Sequence, residues 1–312
     1  MIDERIEIVY NFPRKNVIVF CERLHFRLET IAETELTNMY RPKENSQIEI
    51  VRQWADYDIR YALFDFDGTI SLIREGWQEI MIPYFTEVLC ETGTGESRES
   101  LEACVREFVD KLTGKQTIFQ CLRLKEEVEK RGCKALEAIE YKNEYLRRLE
   151  LRIKDRKENL ANGTCSPEDY LVPGSKAFLE LLRDNGIKCY LASGTDEQDV
   201  LYEASLLKLD GVFAGGIHGA HAAMTECSKE LVIRDMLEKE HILPNQLVSF
   251  GDGYVEVELV AQLGGLAIGV ASEEKTRQGI NAWKRNRLIS AGARAIIPDF
   301  REKEEIIRLI RG

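Results

Sequence analysis

Short apolar runs that stop abruptly at polar residues recur from residue 60 onward, and helical patterns separate them. A strand that is buried on both faces of a parallel sheet has this appearance. The alternation therefore predicts right-handed β-α-β units and a doubly wound parallel α/β sheet, in which ligands bind beyond the carboxyl ends of the strands. The predicted strands are 61–64, 188–192, 247–250, 265–270 and 295–297, and the helices between them are 175–185, 197–207, 229–238 and 255–263.

Residues 76–168 interrupt this alternation with long, charged helical patterns and without a convincing strand pattern. The stretch is too long for a loop, so we expect an all-α insertion, a four-helix bundle over the sheet edge. Three of its helices are predicted at 99–112, 116–131 and 135–160. The predicted organisation is an N-terminal extension at 1–59, an α/β core at 60–75 and 169–312, and the helical insertion at 76–168.

The N-terminal extension is the least informative part of the sequence. Strand patterns at 6–10 and 17–20 precede a helical pattern at 22–35 and a connector at 41–46. No chemical role follows from these patterns.

Composition excludes several classes of partner. The net charge of −11 over 312 residues argues against a general nucleic-acid or membrane-surface binder, because both polyanions attract clustered cations. Eight cysteines are dispersed without a CxxC pair, and the charged first residues are unlike a signal peptide. We therefore expect a cytoplasmic protein with reduced thiols. A homo-oligomer is left open.

The end of the first core strand carries the densest set of reactive groups, Asp65-Phe66-Asp67-Gly68-Thr69. Residues two apart on a strand point to the same side, so both carboxylates can approach one reaction centre if the chain turns at Gly68. Thr69 can hydrogen-bond a phosphate oxygen. Two carboxylates this close repel each other, and a divalent cation relieves that repulsion.

Polar residues at other strand and helix ends complete a phosphoryl-transfer site. Asp252 and Glu256 begin a predicted helix and offer the hard oxygen ligands that Mg²⁺ prefers. Lys229 can neutralise the nucleophile and the phosphoryl group, and Ser193 with Gly194 follows another strand. These residues supply a nucleophile, an acid/base, a metal and fixed donors.

The ordered set Asp65-x-Asp67-Gly68-Thr69, Ser193, Lys229 and Gly251-Asp252-x-x-x-Glu256 resembles the four motifs of the haloacid dehalogenase superfamily, over residues 60–75 and 170–300. The resemblance implies that Asp65 forms an aspartyl phosphate and that Asp67 protonates the leaving group and then activates water. Mg²⁺ would be held by Asp65, the Asp67 carbonyl and Asp252, with Glu256 beside them or bound through water. Ser193 and Lys229 would bind the phosphoryl group.

The same resemblance identifies residues 76–168 with the helical type-1 cap of this superfamily, which closes over the substrate. Glu256 departs from the pattern, since many members carry Asp there. Asp67 is absent from halide-removing members, so its presence points to phosphatase or phosphomutase chemistry.

Several positions have a second interpretation. Ser193 can belong to the turn before a helix, and Lys176 and Lys208 compete with Lys229. Arg74 can reach a substrate oxygen from the entry to the cap, or form a surface ion pair.

Two pairs of polar residues outside the four motifs also have two interpretations. Lys115 and Gln116 can read the substrate from a glycine-containing loop, or occupy an ordinary interhelical turn. We interpret His218 and His221 as loop histidines rather than metal ligands.

The function predicted is a Mg²⁺-dependent phosphomonoester hydrolase acting on a small phosphorylated metabolite, with a sugar phosphate favoured. The alternatives are a phosphomutase that uses the same intermediate, and a regulatory or binding module that assembles through residues 1–59.

Overall fold

Nine strands form two sheets in the computed structural model, which describes residues 6–12, 15–21, 41–54, 57–220 and 228–311. Strands β1 (Ile6–Phe12) and β2 (Lys15–Cys21) form an antiparallel hairpin. The other seven form one sheet in the order β3-β9-β8-β7-β4-β5-β6. They are β3 (Glu49–Ile50), β4 (Tyr61–Phe64), β5 (Lys188–Asp196), β6 (Ile217–Ala220), β7 (Leu247–Gly251), β8 (Leu266–Val270) and β9 (Ala295–Ile297).

All neighbouring strands from β4 to β9 pair in parallel, and only the edge strand β3 is antiparallel to its neighbour β9. Strands β7 and β8 are buried along their whole length, which explains their continuous apolar character. The predicted doubly wound parallel sheet is confirmed. Because β4 lies between β5 and β7, the chain reverses its winding direction there, and the carboxyl end of β4 opens into the crevice where such sheets bind ligands.

Ten α-helices accompany these strands within the described residues. They are α1 (Gln78–Cys90), α2 (Arg98–Leu112), α3 (Thr117–Lys130), α4 (Ala138–Ala161), α5 (Ser175–Asp184), α6 (Glu197–Leu206), α7 (Ser228–Lys239), α8 (Val255–Leu263), α9 (Ala282–Ser290) and α10 (Lys303–Arg311). None of them combines the length and the apolar character that crossing a bilayer requires.

Helices α1 to α4 follow one another between β4 and β5, and we call this stretch, residues 78–161, the helical segment. It leaves and rejoins the core at one place, where Ser71 and Leu171 form an antiparallel bridge. The amide of Leu72 donates to the carbonyl of Tyr170 at 2.8 Å, and the amide of Val172 donates to that of Ile70 at 2.9 Å. The two connections are therefore tied together by backbone hydrogen bonds.

Two sequence interpretations need correction. His218 lies in β6 rather than in a loop, because parallel pairing with β5 overrides the low strand propensity of the surrounding glycines. Residues 49 and 50, which the sequence assigned to the N-terminal extension, pair with β9 in the core sheet. His221 and the helix predicted at 22–35 lie outside the described residues.

The core between α5, α10 and the sheet contains a cluster of four fully buried phenylalanines. The ring of Phe178 lies 5.3 Å from that of Phe250 and 5.2 Å from that of Phe300, and Phe64 stacks on Phe250 at 4.8 Å. Such packing leaves little room for relaxation when one ring is removed.

We expect Phe178→Ala to lower the free energy of unfolding by about 3–5 kcal/mol, because the cavity left by the ring adds to the lost burial. Urea unfolding measures this value. The control is Leu151→Ala, since Leu151 is 69% exposed and its truncation is expected to cost less than about 0.5 kcal/mol. Equal effects of the two substitutions would contradict this description of the core.

Candidate active site

Asp65 and Asp67 follow β4 directly and line a cavity of about 90 Å³ together with Asp252. Backbone hydrogen bonding extends one residue beyond the strand, because the Asp65 amide donates to the Phe250 carbonyl at 3.0 Å. The Asp65 carboxylate Oδ1 accepts from the amide of Phe66 at 2.8 Å. The two aspartates therefore line the same cavity, as the strand periodicity predicts.

The turn after Asp67 depends on Gly68, which has a φ of +76°. A Cβ atom at this position would lie 2.2 Å from Asp252 Oδ2, so the glycine is required both by the backbone conformation and by the close approach of the carboxylate. Thr69 fixes Asp252 from the same turn, because its hydroxyl accepts from the Asp252 amide at 2.8 Å. The loops after β4 and β7 are thereby held against each other.

Lys229, in the first turn of α7, is buried between two carboxylates. Its Nζ lies 2.8 Å from Asp65 Oδ2 and 2.6 Å from Glu256 Oε2. Glu256 comes from the first turn of α8, and its Oε1 is buried without a hydrogen-bond partner among the described residues. One ammonium group thus joins β4, α7 and α8.

Burial is the main influence on the titration of this cluster. It raises the pKa of Asp65 to about 6 and the pKa of Glu256 to about 8, against the opposing charge of Lys229. Burial thus disfavours the charged form of both carboxyls, and the ammonium of Lys229 partly offsets this effect.

Asp67 is hydrogen-bonded by a residue of β5 and lies within the electrostatic influence of Arg74, at the entry to the helical segment. Thr195 Oγ1 donates to Asp67 Oδ2 at 2.7 Å, whereas Asp67 Oδ1 is buried without a partner among the described residues. Burial raises the pKa of Asp67 to about 6, and the positive charge of Arg74 opposes this rise. A carboxyl group with a pKa in this range can both give and accept a proton near neutrality.

Arg74 lies in the cavity wall and is only 8% exposed. Its guanidinium donates to Glu203 at 2.8 Å and to Asp199 at 3.0 Å, both on α6. The ion pair is therefore a buried one rather than the surface pair considered from sequence. Substrate contact by Arg74 stays a prediction.

A second buried lysine, Lys284 on α9, pairs with Asp252. Its Nζ lies 2.8 Å from Asp252 Oδ2 and 2.6 Å from Glu274 Oε1, and it donates to Ser272 Oγ at 3.0 Å. Asp65 and Asp252 thus each have an ammonium counter-ion.

The helical segment closes the cavity from the opposite side. The loop between α2 and α3, residues 113–116, places the carbonyl of Lys115 3.1 Å from the position that a Cβ on Gly194 would take. Helix α4 is joined to the core by Lys142, whose Nζ lies 2.5 Å from Asp196 Oδ1. The residues that the segment contributes to the wall are Met81, Thr113, Gly114, Lys115, Thr117, Gln120 and Tyr145.

The structure brings most of the predicted site residues to this cavity, but four do not line it. Thr69 is engaged with Asp252, Glu256 with Lys229, and Ser193 Oγ accepts from the Thr195 amide at 3.0 Å. Gln116 is buried at the start of α3. Their roles as ligands of phosphate, metal or substrate stay predictions. The predicted residues in the wall are Asp65, Asp67, Arg74, Lys115, Gly194, Lys229 and Asp252.

Sequence reasoning missed Thr195, Lys284 and the aromatic part of the wall. Thr195 carries a helix-capping pattern, which hid its contact with Asp67. Lys284 belongs to a helix that was not predicted. Trp77 and Tyr145 lie in the cavity wall but have no motif around them.

We expect Lys229→Met to destabilise the fold by about 3–5 kcal/mol near pH 8, because it leaves Asp65 and Glu256 buried without their cation. Loss of the cation raises the folded-state pKa of both carboxyls further, so the deficit grows as pH rises and shrinks toward pH 5. Urea unfolding at pH 5 and pH 8 measures the two values.

The matched control is Lys239→Met on the same helix, since Lys239 is exposed and pairs with Asp235, which lies four residues earlier. This substitution is expected to change stability by less than about 0.5 kcal/mol at either pH. A Lys229→Met deficit that is independent of pH would contradict the ion-cluster assignment.

Comparison with known proteins places this geometry in a family. The sequence model of haloacid dehalogenase-like hydrolases matches residues 59–264. A search of curated proteins found no match.

Solved structures share the fold. A predicted phosphoglycolate phosphatase from Haemophilus somnus superposes with a TM-score of 0.54 at 17% identity, covering 81% of this chain and 100% of the other. A haloacid dehalogenase-like protein of unknown function from Agrobacterium tumefaciens gives a TM-score of 0.52 at 17% identity, covering 81% and 100%.

A third structure, a protein from Bacteroides vulgatus provisionally assigned as a β-phosphoglucomutase, gives a TM-score of 0.52 at 18% identity, covering 82% and 92%. At these identities the likeness concerns the fold alone. The family match spans about two thirds of the sequence and confirms the predicted superfamily and an enzyme of the hydrolase class. The chain belongs to the haloacid dehalogenase-like hydrolases.

Proposed function

We propose that this hydrolase releases phosphate from a small phosphorylated metabolite, a sugar phosphate being favoured, in a Mg²⁺-dependent reaction at Asp65. The observation that carries the proposal is the pairing of two unlike aspartates in one cavity. Asp65 is ion-paired with Lys229, as a nucleophile requires, and Asp67 has a raised pKa, as an acid/base requires.

The proposed reaction has two steps, formation of an acyl phosphate and its hydrolysis. An oxygen of Asp65 attacks phosphorus to form an acyl phosphate, while the bond to the leaving oxygen breaks and Asp67 gives that oxygen a proton. Asp67 then takes a proton from water, which attacks the same phosphorus, regenerates the Asp65 carboxylate and releases inorganic phosphate. Lys229 offsets the negative charge that both steps bring to Asp65.

The oxygen atoms around the cavity are of the chemical type that binds a magnesium ion. As the side chains stand, the described residues contain no group of three or more His, Cys, Asp or Glu poised around a metal, because the core lysines hold Asp252 and Glu256. However, Asp65, Asp67 and Asp252 are hard oxygen donors around one cavity, and each of the first two has its pKa raised partly by Asp252. Such mutual repulsion is what a divalent cation relieves.

Asp65, the Asp67 carbonyl and Asp252 would hold the ion, with Glu256 beside them. When bound, Mg²⁺ supplies positive charge to the phosphoryl oxygens. Asp67 Oδ1 and Lys229 keep their proton-transfer and charge-balancing tasks in its presence.

We further propose that the helical segment, within predicted residues 76–168, acts as the cap of this enzyme. Its loop 113–116 and helix α4 contact the core around the cavity, so it can exclude water from the aspartyl phosphate. The free thiols at Cys90, Cys104, Cys121, Cys133, Cys165 and Cys189 are consistent with the cytoplasmic location we propose.

We expect Asp65→Asn to abolish phosphate release from a generic phosphomonoester, because the amide is not a nucleophile toward phosphorus. Phosphate release with Mg²⁺ and the melting temperature are measured together. Asp235→Asn, on the exposed face of α7, is the control and keeps wild-type turnover. Retained turnover in Asp65→Asn would remove Asp65 from its assigned role.

We expect chelation with EDTA to stop turnover and added Mg²⁺ to restore it, because the carboxylates and the phosphoryl group repel one another without a cation. Magnesium binding to the wild type is measured independently by titration calorimetry, with Asp252→Asn as the weakened variant. Full activity after exhaustive chelation would contradict the metal assignment.

The phosphomutase alternative uses the same first step, so product analysis separates it from hydrolysis. A phosphate-release screen across sugar phosphates, nucleotides and small phosphoacids gives inorganic phosphate for a hydrolase and an isomeric sugar phosphate for a mutase. Absence of both over the whole panel would favour the binding-module alternative.

A further inference from the structure

Arg287, a residue of the core, forms hydrogen bonds with the end of helix α2 in the helical segment. It lies on α9, and its guanidinium donates to the carbonyls of Asp110, Lys111 and Thr113. The bonds from Nη2 measure 3.2 Å to Lys111 and 2.9 Å to Thr113. Asp110 and Lys111 belong to the last turn of α2, whose terminal carbonyls lack partners within the helix.

Other groups complete the capping of this helix end. Thr113 Oγ1 donates to the Val109 carbonyl at 2.9 Å, and the Lys115 amide donates to the Leu112 carbonyl at 3.0 Å. Arg287 therefore supplies the part of the cap that comes from the core. Its positive charge also suits the negative end of the α2 dipole.

The guanidinium is itself fixed between two aromatic rings of the core. It lies 4.7 Å from the ring centre of Tyr254 and 5.1 Å from that of Trp283. Tyr254 directly follows Gly251-Asp252-Gly253, the loop that bears the carboxylate Asp252. The contact thus ties the position of α2 to a loop of the active site.

In addition to the hydrogen bonds of Arg287, loop 113–116 packs against the core loop that contains Asp252 and Gly253. A Cβ on Gly253 would lie 3.0 Å from the Gly114 Cα, so the two backbones touch where neither residue has a side chain. Gly114 has a φ of +93°, which favours glycine independently. This contact places Lys115 and Thr117 in the cavity wall facing the core aspartates.

We infer that Arg287 is a positioning residue for substrate binding, which holds loop 113–116 closed over the active site; the kinetic part of this inference rests on the proposed function. Arg287 does not line the cavity among the described residues, so it acts through the loop and not on the substrate. Arginine suits the task better than lysine, because its planar fork bonds several carbonyls at once while stacking on the rings.

Amide hydrogen exchange tests whether Arg287 holds loop 113–116, and it requires no substrate. In Arg287→Ala we expect exchange over residues 113–117 to quicken about tenfold relative to the strand β7, because hydrogen bonds from a charged donor are lost. Arg287→Lys should recover part of the protection. The matched control is Arg285→Ala on the same helix, which breaks an ion pair with Glu49 and leaves the loop untouched.

Two outcomes of the exchange experiment would overturn the inference. One is loop exchange in Arg287→Ala equal to that in Arg285→Ala. The other is an equal rise over β7 and over the loop, which would show a general loss of stability instead of loop opening.

Steady-state kinetics then test whether the contact of Arg287 with the loop affects substrate binding. In Arg287→Ala we expect kcat/KM for the best phosphomonoester to fall about tenfold, mainly through KM, because the contacts of Asp65 and Lys229 are unchanged while the substrate-facing loop is loosened. A change confined to kcat, or none, would overturn the positioning role. A wild type without turnover would instead refute the proposed function, and the exchange result would still decide whether Arg287 holds the loop.

Discussion

A single buried ammonium, that of Lys229, stands between two carboxylates that the sheet brings together from separate parts of the chain. Removing three charged groups from water is costly, and the cost is offset only when their geometry is held closely. The surrounding elements provide that geometry. Asp65 is fixed by the end of β4, Lys229 by the start of α7, and Glu256 by the start of α8.

The same arrangement makes the candidate active site a compromise between the stability of the fold and the proton affinity of its carboxyl groups. Its carboxylates keep raised pKa values because burial outweighs the nearby cations. A less buried site would be easier to stabilise, but the pKa values of its carboxyl groups would lie further from neutrality. Lys284 forms a second buried ion pair, with Asp252. The carboxylates of the crevice therefore have two buried lysines as counter-ions.

Short sequence patterns were sufficient to predict most strands and helices of the core and the turn that follows Asp67. The strand preceding Asp65, the turn at Gly68 and most core helices follow from short stretches of sequence, and the sheet topology then brings Asp252 and Lys229 to them.

The parts that were not predicted depend on contacts between distant residues. Thr195 meets Asp67 from 128 positions away, and Arg287 meets Thr113 from 174 positions away. Strand β6 was missed because its hydrogen bonds come from β5 and not from its own glycine-rich sequence. The contact that determines each role is set by the fold, and short patterns do not encode it.

The bridge between Ser71 and Leu171 gives the helical segment a narrow stem. Both ends of the insert emerge side by side and are joined by main-chain hydrogen bonds, and Arg156 of α4 adds side-chain bonds to the carbonyls of Ile73 and Glu75. Exchange of the helical segment at this stem would change the side chains that it contributes to the cavity wall and would interrupt none of the strands from β4 to β9. Such modularity offers a route by which one hydrolytic core acquires new specificities.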